Sequence, residues 1–240
     1  MILIIAILFI STLTGGLISN SIDFEPKTIK YPLIFAGSFL FAITLIHILP
    51  EIFSFGQDPM RIGLYILLGF FLQQFLEYFS SGIEHGHFHK GHHLTTTTKW
   101  SMVLALTIHS LLEGAMLTHD SPFHGPHESH SLLTGIILHK VPAAFALMTT
   151  LKTNGKFTLS QWLILLLFSM ASPIGLLLSS SILELSHDHM LILFAIVSGS
   201  FLHISTTIFV ESSPDHHFGS RKILVSALGA GVAIASEYLI

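Results

Sequence analysis

The chain has 240 residues, 51% hydrophobic and only 10% charged, with a formal net charge of −4. Soluble domains carry roughly 25% charged residues, so this composition excludes an ordinary soluble domain, and its slightly acidic balance leaves no basic footprint for nucleic acid. Cysteine is absent, which excludes disulfides and thiolate metal sites, whereas histidine occurs 17 times.

A hydropathy window of about 19 residues finds eight spans, at roughly 1–19, 33–55, 62–83, 100–118, 131–151, 160–183, 189–210 and 222–240. Each approaches the ~20 residues a helix needs to cross the bilayer, and none shows the short alternating pattern of a barrel strand. The expected fold is all-α, a single eight-helix membrane domain over residues 1–240. The first span, MILIIAILFISTLTGGLIS, lacks the positively charged start of a signal peptide and reads as a retained helix. Lys27 and Lys30 follow span 1, Lys90 and Lys99 follow span 3, Lys152 and Lys156 follow span 5, and Arg221 and Lys222 follow span 7. Arg61 alone lies in a loop on the other side. By the positive-inside rule the odd-to-even loops are cytoplasmic, and both termini are extracytoplasmic.

Span 2 closes with HILPE, where His47 and Glu51 share a face at i, i+4. They either collect a metal ion or anchor the span at the interface. The cytoplasmic loop at about 84–99 contains EHGHFHKGHH, with His85, His87, His89, His92 and His93. It is read as a sensor or buffer of cytoplasmic metal, or else as a solvated segment without a role. Span 4 places His109, Ser110 and Glu113 in the middle of an apolar run, with His109 and Glu113 on one face. Span 5 carries His139 and Lys140 at its midpoint. Ionisable groups at that depth cost about 2.5–3.5 kcal/mol each on insertion scales, so several at one level need a common purpose.

Spans 4 and 5 run in opposite directions, so His109, Glu113 and His139 meet at similar depth. Imidazole and carboxylate suit Zn²⁺ and its first-row neighbours, and the absence of thiols argues against Cu⁺. The alternative is a buried Glu113–Lys140 pair that needs no metal. In the metal reading, Lys140 is a fixed positive charge that keeps Glu113 ionised in the empty site and limits occupancy to one ion. Pro142 removes a helical donor from the Leu138 carbonyl and is expected to bend span 5 at a depth where transport sites form. Ser172-Pro173 with Gly175 repeats the device in span 6, or simply kinks it for packing. His203, with Thr206 and Thr207 beyond it in span 7, is a candidate exit ligand. Glu77 and Glu237, near span ends, read as interfacial. Gly15, Gly16, Gly63, Gly69, Gly175, Gly199, Gly229 and Gly231 read as helix-packing positions.

A closed structural zinc site binds with ~10–16 kcal/mol and releases slowly. Three protein ligands with an open fourth position suit passage better. A zinc hydrolase within the membrane would need a second carboxylate as general base, yet Glu113 is the one acidic residue deep in any span, and HExxH is absent. An exporter using the same site stays open on physical grounds.

Five stretches in order resemble the ZIP (Zrt-, Irt-like) family of divalent-metal transporters: LIHILPE, HSLLEGAML, HKVPAAF, ASPIG and GSFLHISTT. The resemblance covers the whole chain, including the His-rich loop after span 3. It implies a 3+2+3 helix arrangement with a mid-membrane metal site between spans 4 and 5. It also implies transport of metal into the cytoplasm by sliding of transport helices against a scaffold. Carried over by motif, the ligands are His109, Glu113 and His139, with Ser110 adjacent. Two-metal members have a carboxylate at the position of Lys140 and a ligand at that of Ala143, so the expectation here is one ion. Leu112 stands where some members have proline. Ile208 stands at a commonly acidic position of span 7, and Glu211 follows nearly a turn later. The expected substrate is Zn²⁺, with Fe²⁺, Mn²⁺ or Cd²⁺ as alternatives, and no organic cofactor. The expected partners are the lipid bilayer and, as a candidate assembly, a second copy of the chain. The small size points to a bacterial inner (plasma) membrane.

Overall fold

In a computed structural model, residues 1–21, 26–56, 58–80, 95–117, 129–152, 157–182, 186–211 and 219–239 are described, and every regular element among them is helical. The helices are α1 (Ile2–Ser21), α2 (Pro26–Ile43), α3 (Leu49–Phe55), α4 (Pro59–Ser80), α5 (Thr96–Met116), α6 (Ser129–Leu151), α7 (Leu159–Leu177), α8 (His187–Glu211) and α9 (Ser220–Leu239). A π-helical stretch, Thr44–Ile48, joins α2 to α3, and another, Leu178–Ile182, extends α7. With these joined, the described residues form eight rods that overlap the eight sequence spans. Among the described residues, six stretches are long and apolar enough to cross a membrane: Ile2–Ser21, Lys30–Phe55, Pro59–Ser80, Ser131–Leu151, Leu159–Ser180 and His187–Phe209. α5 and α9 are not in that set. α5 carries Lys99, His109 and Glu113, and α9 carries Arg221, Lys222 and Glu237.

Local chemistry sets several boundaries. The Asp58 carboxylate accepts the Met60 and Arg61 amides at 3.0 and 3.2 Å and starts α4. Thr95 caps α5 by accepting the Thr98 amide at 3.2 Å. The Thr158 amide donates to Gln161 Oε1 at 2.8 Å, and the Gln161 amide group in turn donates to the Leu151 carbonyl, which ties α7 to the end of α6. Pro50 has no N–H to offer the Ile46 carbonyl, and the preceding turn widens so that the Leu49 amide reaches back to Thr44. α6 is continuous through Pro142, and α7 through Pro173.

Apolar lipid gives helices no hydrophobic reason to associate, so close approach at small residues matters. Gly114 of α5 abuts the Ser172 carbonyl of α7, and Gly175 of α7 abuts the Leu111 carbonyl of α5. The same reciprocal contact joins α4 to α8, with Gly69 on Ile196 and Gly199 on Ile66. Gly15 brings α1 onto Val141 of α6, and Gly229 brings α9 onto Phe35 of α2. Gly63 and Gly231 meet nothing within 4 Å, so the packing role read for them in the sequence is corrected.

These backbone contacts pair α5 with α7, α4 with α8, α1 with α6 and α2 with α9. α1 also packs on α7 and α2 on α8, so we treat α1, α5, α6 and α7 as one group and α2, α3, α4, α8 and α9 as the other. The groups meet where α2 packs on α6 and α4 on α5. Side chains fill that seam, as where Gly135 of α6 faces the Phe39 ring. A buried cluster including Leu40, Ile43, Ile52, Met116, Leu132 and Phe194 spans both groups at one end of the bundle. Toward the other end the core divides, with Leu106, Leu147 and Phe168 in one group and Ile34, Ile204 and Ile208 in the other.

Candidate metal site

His109 and Glu113 lie one turn apart on the same face of α5, and the imidazole Nε2 is 3.0 Å from Glu113 Oε1. α6 packs beside them and brings in His139, whose ring stands 6.1 Å from that of His109 at 88°. One ligand atom from each of His109, Glu113 and His139 lies within 4.8 Å of the others, and all three side chains are buried. Among the described residues no other trio of potential ligands converges so closely. Tetrahedral Zn²⁺ with bonds of ~2.0–2.1 Å holds its ligand atoms roughly 3.3 Å apart. His109 and Glu113 are already at about that spacing, so an ion would chiefly draw His139 inward.

Lys140 is 1% exposed, and its ammonium donates to Glu113 Oε2 at 2.5 Å and to Ser110 Oγ at 2.6 Å. It also lies 5.7 Å from the Phe168 ring centre. The Gly114–Gly175 contact sets α7 close enough for Ser172 Oγ to donate to the Ser110 carbonyl at 2.7 Å. The Glu113–Lys140 pair weighed from the sequence thus forms, but it occupies one carboxylate oxygen. The other turns toward His109, so ion pair and metal ligand are compatible roles for one side chain.

Ser200 of α8 donates to Gln73 Oε1 of α4 at 2.8 Å, and its oxygen lies 3.4 Å from His109 Nδ1. With the serine proton committed to Gln73, His109 Nδ1–H is the donor in that second contact. His109 Nε2 faces Glu113 Oε1 at 3.0 Å, where a proton or a metal ion can stand between nitrogen and carboxylate. The Ser200 contact at Nδ1 is the kind of outer support that orients metal-binding histidines generally. Sequence reasoning missed Gln73 and Ser200. The available signal was a buried amide and hydroxyl in otherwise apolar runs.

The other sequence candidates are placed as follows. Pro142 lies in α6 beside a groove lined by Tyr31, Phe35, Leu138 and Val141. His47 and Glu51 stand away from the central trio, at the end of the second rod. His47 Nε2 is 3.7 Å from Glu51, and Nδ1 is 2.9 Å from Glu237 of α9. His203 Nε2 is 3.4 Å from Glu77 of α4. Glu77 and Glu237, read from the sequence as interfacial, each also face a histidine. Glu211 ends α8, but its side chain is outside the described residues, as are His85, His87, His89, His92 and His93.

A family model described as ZIP Zinc transporter matches residues 90–236, which include α5 to α8 and most of α9. The chain belongs to the ZIP zinc transporter family. Protein zntD of Dictyostelium discoideum is 31% identical over 157 residues, covering 60% of this chain. The match covers 22% of that relative's own length. With six membrane-length apolar stretches, the family member described here is an integral membrane protein.

Proposed function

We propose that the chain carries divalent metal ions, Zn²⁺ foremost, across the membrane into the cytoplasm through a site formed by His109, Glu113 and His139. The observation that carries the reading is the convergence of these three buried side chains within 4.8 Å on α5 and α6. Membership of a family described as zinc transporters supports the substrate class. The whole chain acts as one transporter domain in a 3+2+3 arrangement, with Ser110, Lys140 and Pro142 flanking the ion's path. Both termini face outward, as the lysine and arginine distribution supports. Fe²⁺, Mn²⁺ and Cd²⁺ are the alternative cargoes, and a homodimer is the proposed assembly.

Motion by sliding is part of the proposal; the close glycine-to-backbone contacts lie within the pairs α1–α6, α5–α7, α4–α8 and α2–α9, and none of them crosses the seam. His109, Glu113, His139 and Lys140 all stand on one group, so the site can move as a unit. The hydrolase alternative fares worse, because with Glu113 as a ligand no second carboxylate joins the trio among the described residues to act as base. Glu113→Ala in proteoliposomes should abolish uptake of radiolabelled Zn²⁺ while leaving insertion intact. Preserved uptake would defeat the site assignment, and outward-directed flux in oriented vesicles would favour the exporter.

A further inference from the structure

His203 and Glu77 lie outside the central trio but continue its line of polar groups. They sit on α8 and α4, which the reciprocal Gly69 and Gly199 contacts hold backbone to backbone. His203 Nε2 is 3.4 Å from Glu77 Oε2, and the two side chains are 6% and 17% exposed. The Phe70 ring packs edgewise on the imidazole at 4.8 Å, and Thr207 Oγ1 lies 3.4 Å from Nδ1. The ring is thereby held with Nε2 toward the carboxylate.

Gln73 precedes Glu77 by one turn of α4, and Ser200 precedes His203 by about one turn of α8. Gln73 and Ser200 bond each other at 2.8 Å, and Ser200 touches His109 at 3.4 Å. Two polar rungs therefore descend between α4 and α8 from the central site. The second lies about 6 Å further along α4 than the first, at 1.5 Å per residue. It points to the end of the bundle where Ser101 Oγ of α5 reaches the Phe79 carbonyl. At the opposite end the buried apolar cluster fills the bundle core.

We propose that Glu77 and His203 form a second cation site, at which a divalent metal ion pauses after leaving His109, Glu113 and His139 between α4 and α8. The proposal rests on the transport reading above and adds the route. Imidazole and carboxylate together take first-row divalent ions. Two protein ligands leave the remaining positions to water, which suits a brief stop. The competing account is a structural ion pair that only fastens α4 to α8.

The native chain contains no cysteine, so Glu77→Cys and His203→Cys each introduce a unique thiol. In full-length protein reconstituted in liposomes, each thiol should react with a membrane-impermeant maleimide from the cytoplasmic face, and Zn²⁺ should slow that reaction. Glu77→Gln and His203→Phe should lower Zn²⁺ flux by at least ~10-fold, the scale of losing a group that supports a bound metal. Zn²⁺ affinity at the central site, titrated in detergent, should stay within threefold (about 0.65 kcal/mol), and Glu77→Asp should restore much of the flux. Normal flux in both variants, or thiols that Zn²⁺ does not protect, would overturn the proposal. So would flux lost together with central-site affinity, the result expected of a structural brace. Failure of the transport reading shows separately, as flux that survives Glu113→Ala.

Discussion

Replacing Lys140 by methionine separates its two jobs in the site. The ammonium lies 2.5 Å from Glu113 Oε2 with both side chains buried. Without metal, removing one partner of a buried pair destabilises by about 3–5 kcal/mol, because the remaining charge has no compensation. Methionine keeps the unbranched stem of lysine and lacks only its terminal atom, so lost packing is a small part of that loss. With metal the sign reverses. An ion among the three ligands would stand roughly 5 Å from the ammonium, where a +2 and a +1 charge at an effective dielectric of ~20 repel by about 6–7 kcal/mol. Relaxation removes much of that, yet each 1.4 kcal/mol that survives is about tenfold in affinity. Lys140→Met should therefore lower Tm of the metal-free protein, raise Zn²⁺ affinity at least tenfold, and enlarge the Tm gain on adding Zn²⁺. Calorimetric titration and thermal unfolding in detergent, with and without a chelator, read all three. Unchanged affinity with unchanged metal-free Tm would refute the view of Lys140 as a charge competing with the ion.

Lys140→Asp should go further and raise bound metal above one ion per chain by elemental analysis; a ratio that stays at one would mean that charge is not what limits occupancy. Ser200→Ala should weaken Zn²⁺ binding about 10–100-fold through loss of the support at His109 Nδ1, and Ser200→Thr should keep most of the affinity. Gly175→Leu drives a side chain into the Leu111 carbonyl and should cost about 1–3 kcal/mol or more of stability. Gly63→Leu, which meets open space, should shift Tm little. Deleting the segment from His85 to His93 should change the response to cytoplasmic metal more than the maximal rate, measured as flux against internal Zn²⁺; a dead transporter would contradict a regulatory role.

The sequence disclosed the features that depend on short separations. His109 and Glu113 are four apart on a helix, so their shared face follows from helical geometry alone. Opposed spans of known length then set the depth of His139. Partners on distant helices were not legible in this way. Gln73 meets Ser200 across 127 residues, and Ser200 meets His109 across 91. No local periodicity encodes which helix becomes the neighbour. Position near span ends set Glu77 and Glu237 toward the interface, but it could not show the histidine on the facing helix. The glycines were read as packing positions, yet Gly63 and Gly231 have the same residue type with nothing beside them. Composition marks where a helix can be approached, and the fold decides whether it is.

The charge of the site bears on how long an ion stays. Glu113 and Lys140 cancel, and neutral histidines add nothing, so a bound Zn²⁺ would bring two uncompensated charges into a buried setting. A storage site would supply carboxylates or thiolates to offset them. Here a basic residue is held against the carboxylate by Ser110, itself in contact with Ser172 of α7. The arrangement therefore weakens binding by construction. At a ~10⁸ M⁻¹s⁻¹ on-rate, a micromolar site releases its ion on the order of 100 times per second, while a nanomolar one takes about ten seconds. In the proposed transport cycle Lys140 would thus favour turnover at the expense of affinity. It also gives the carboxylate a partner without metal, so that an empty site moving across the membrane would carry no unpaired charge.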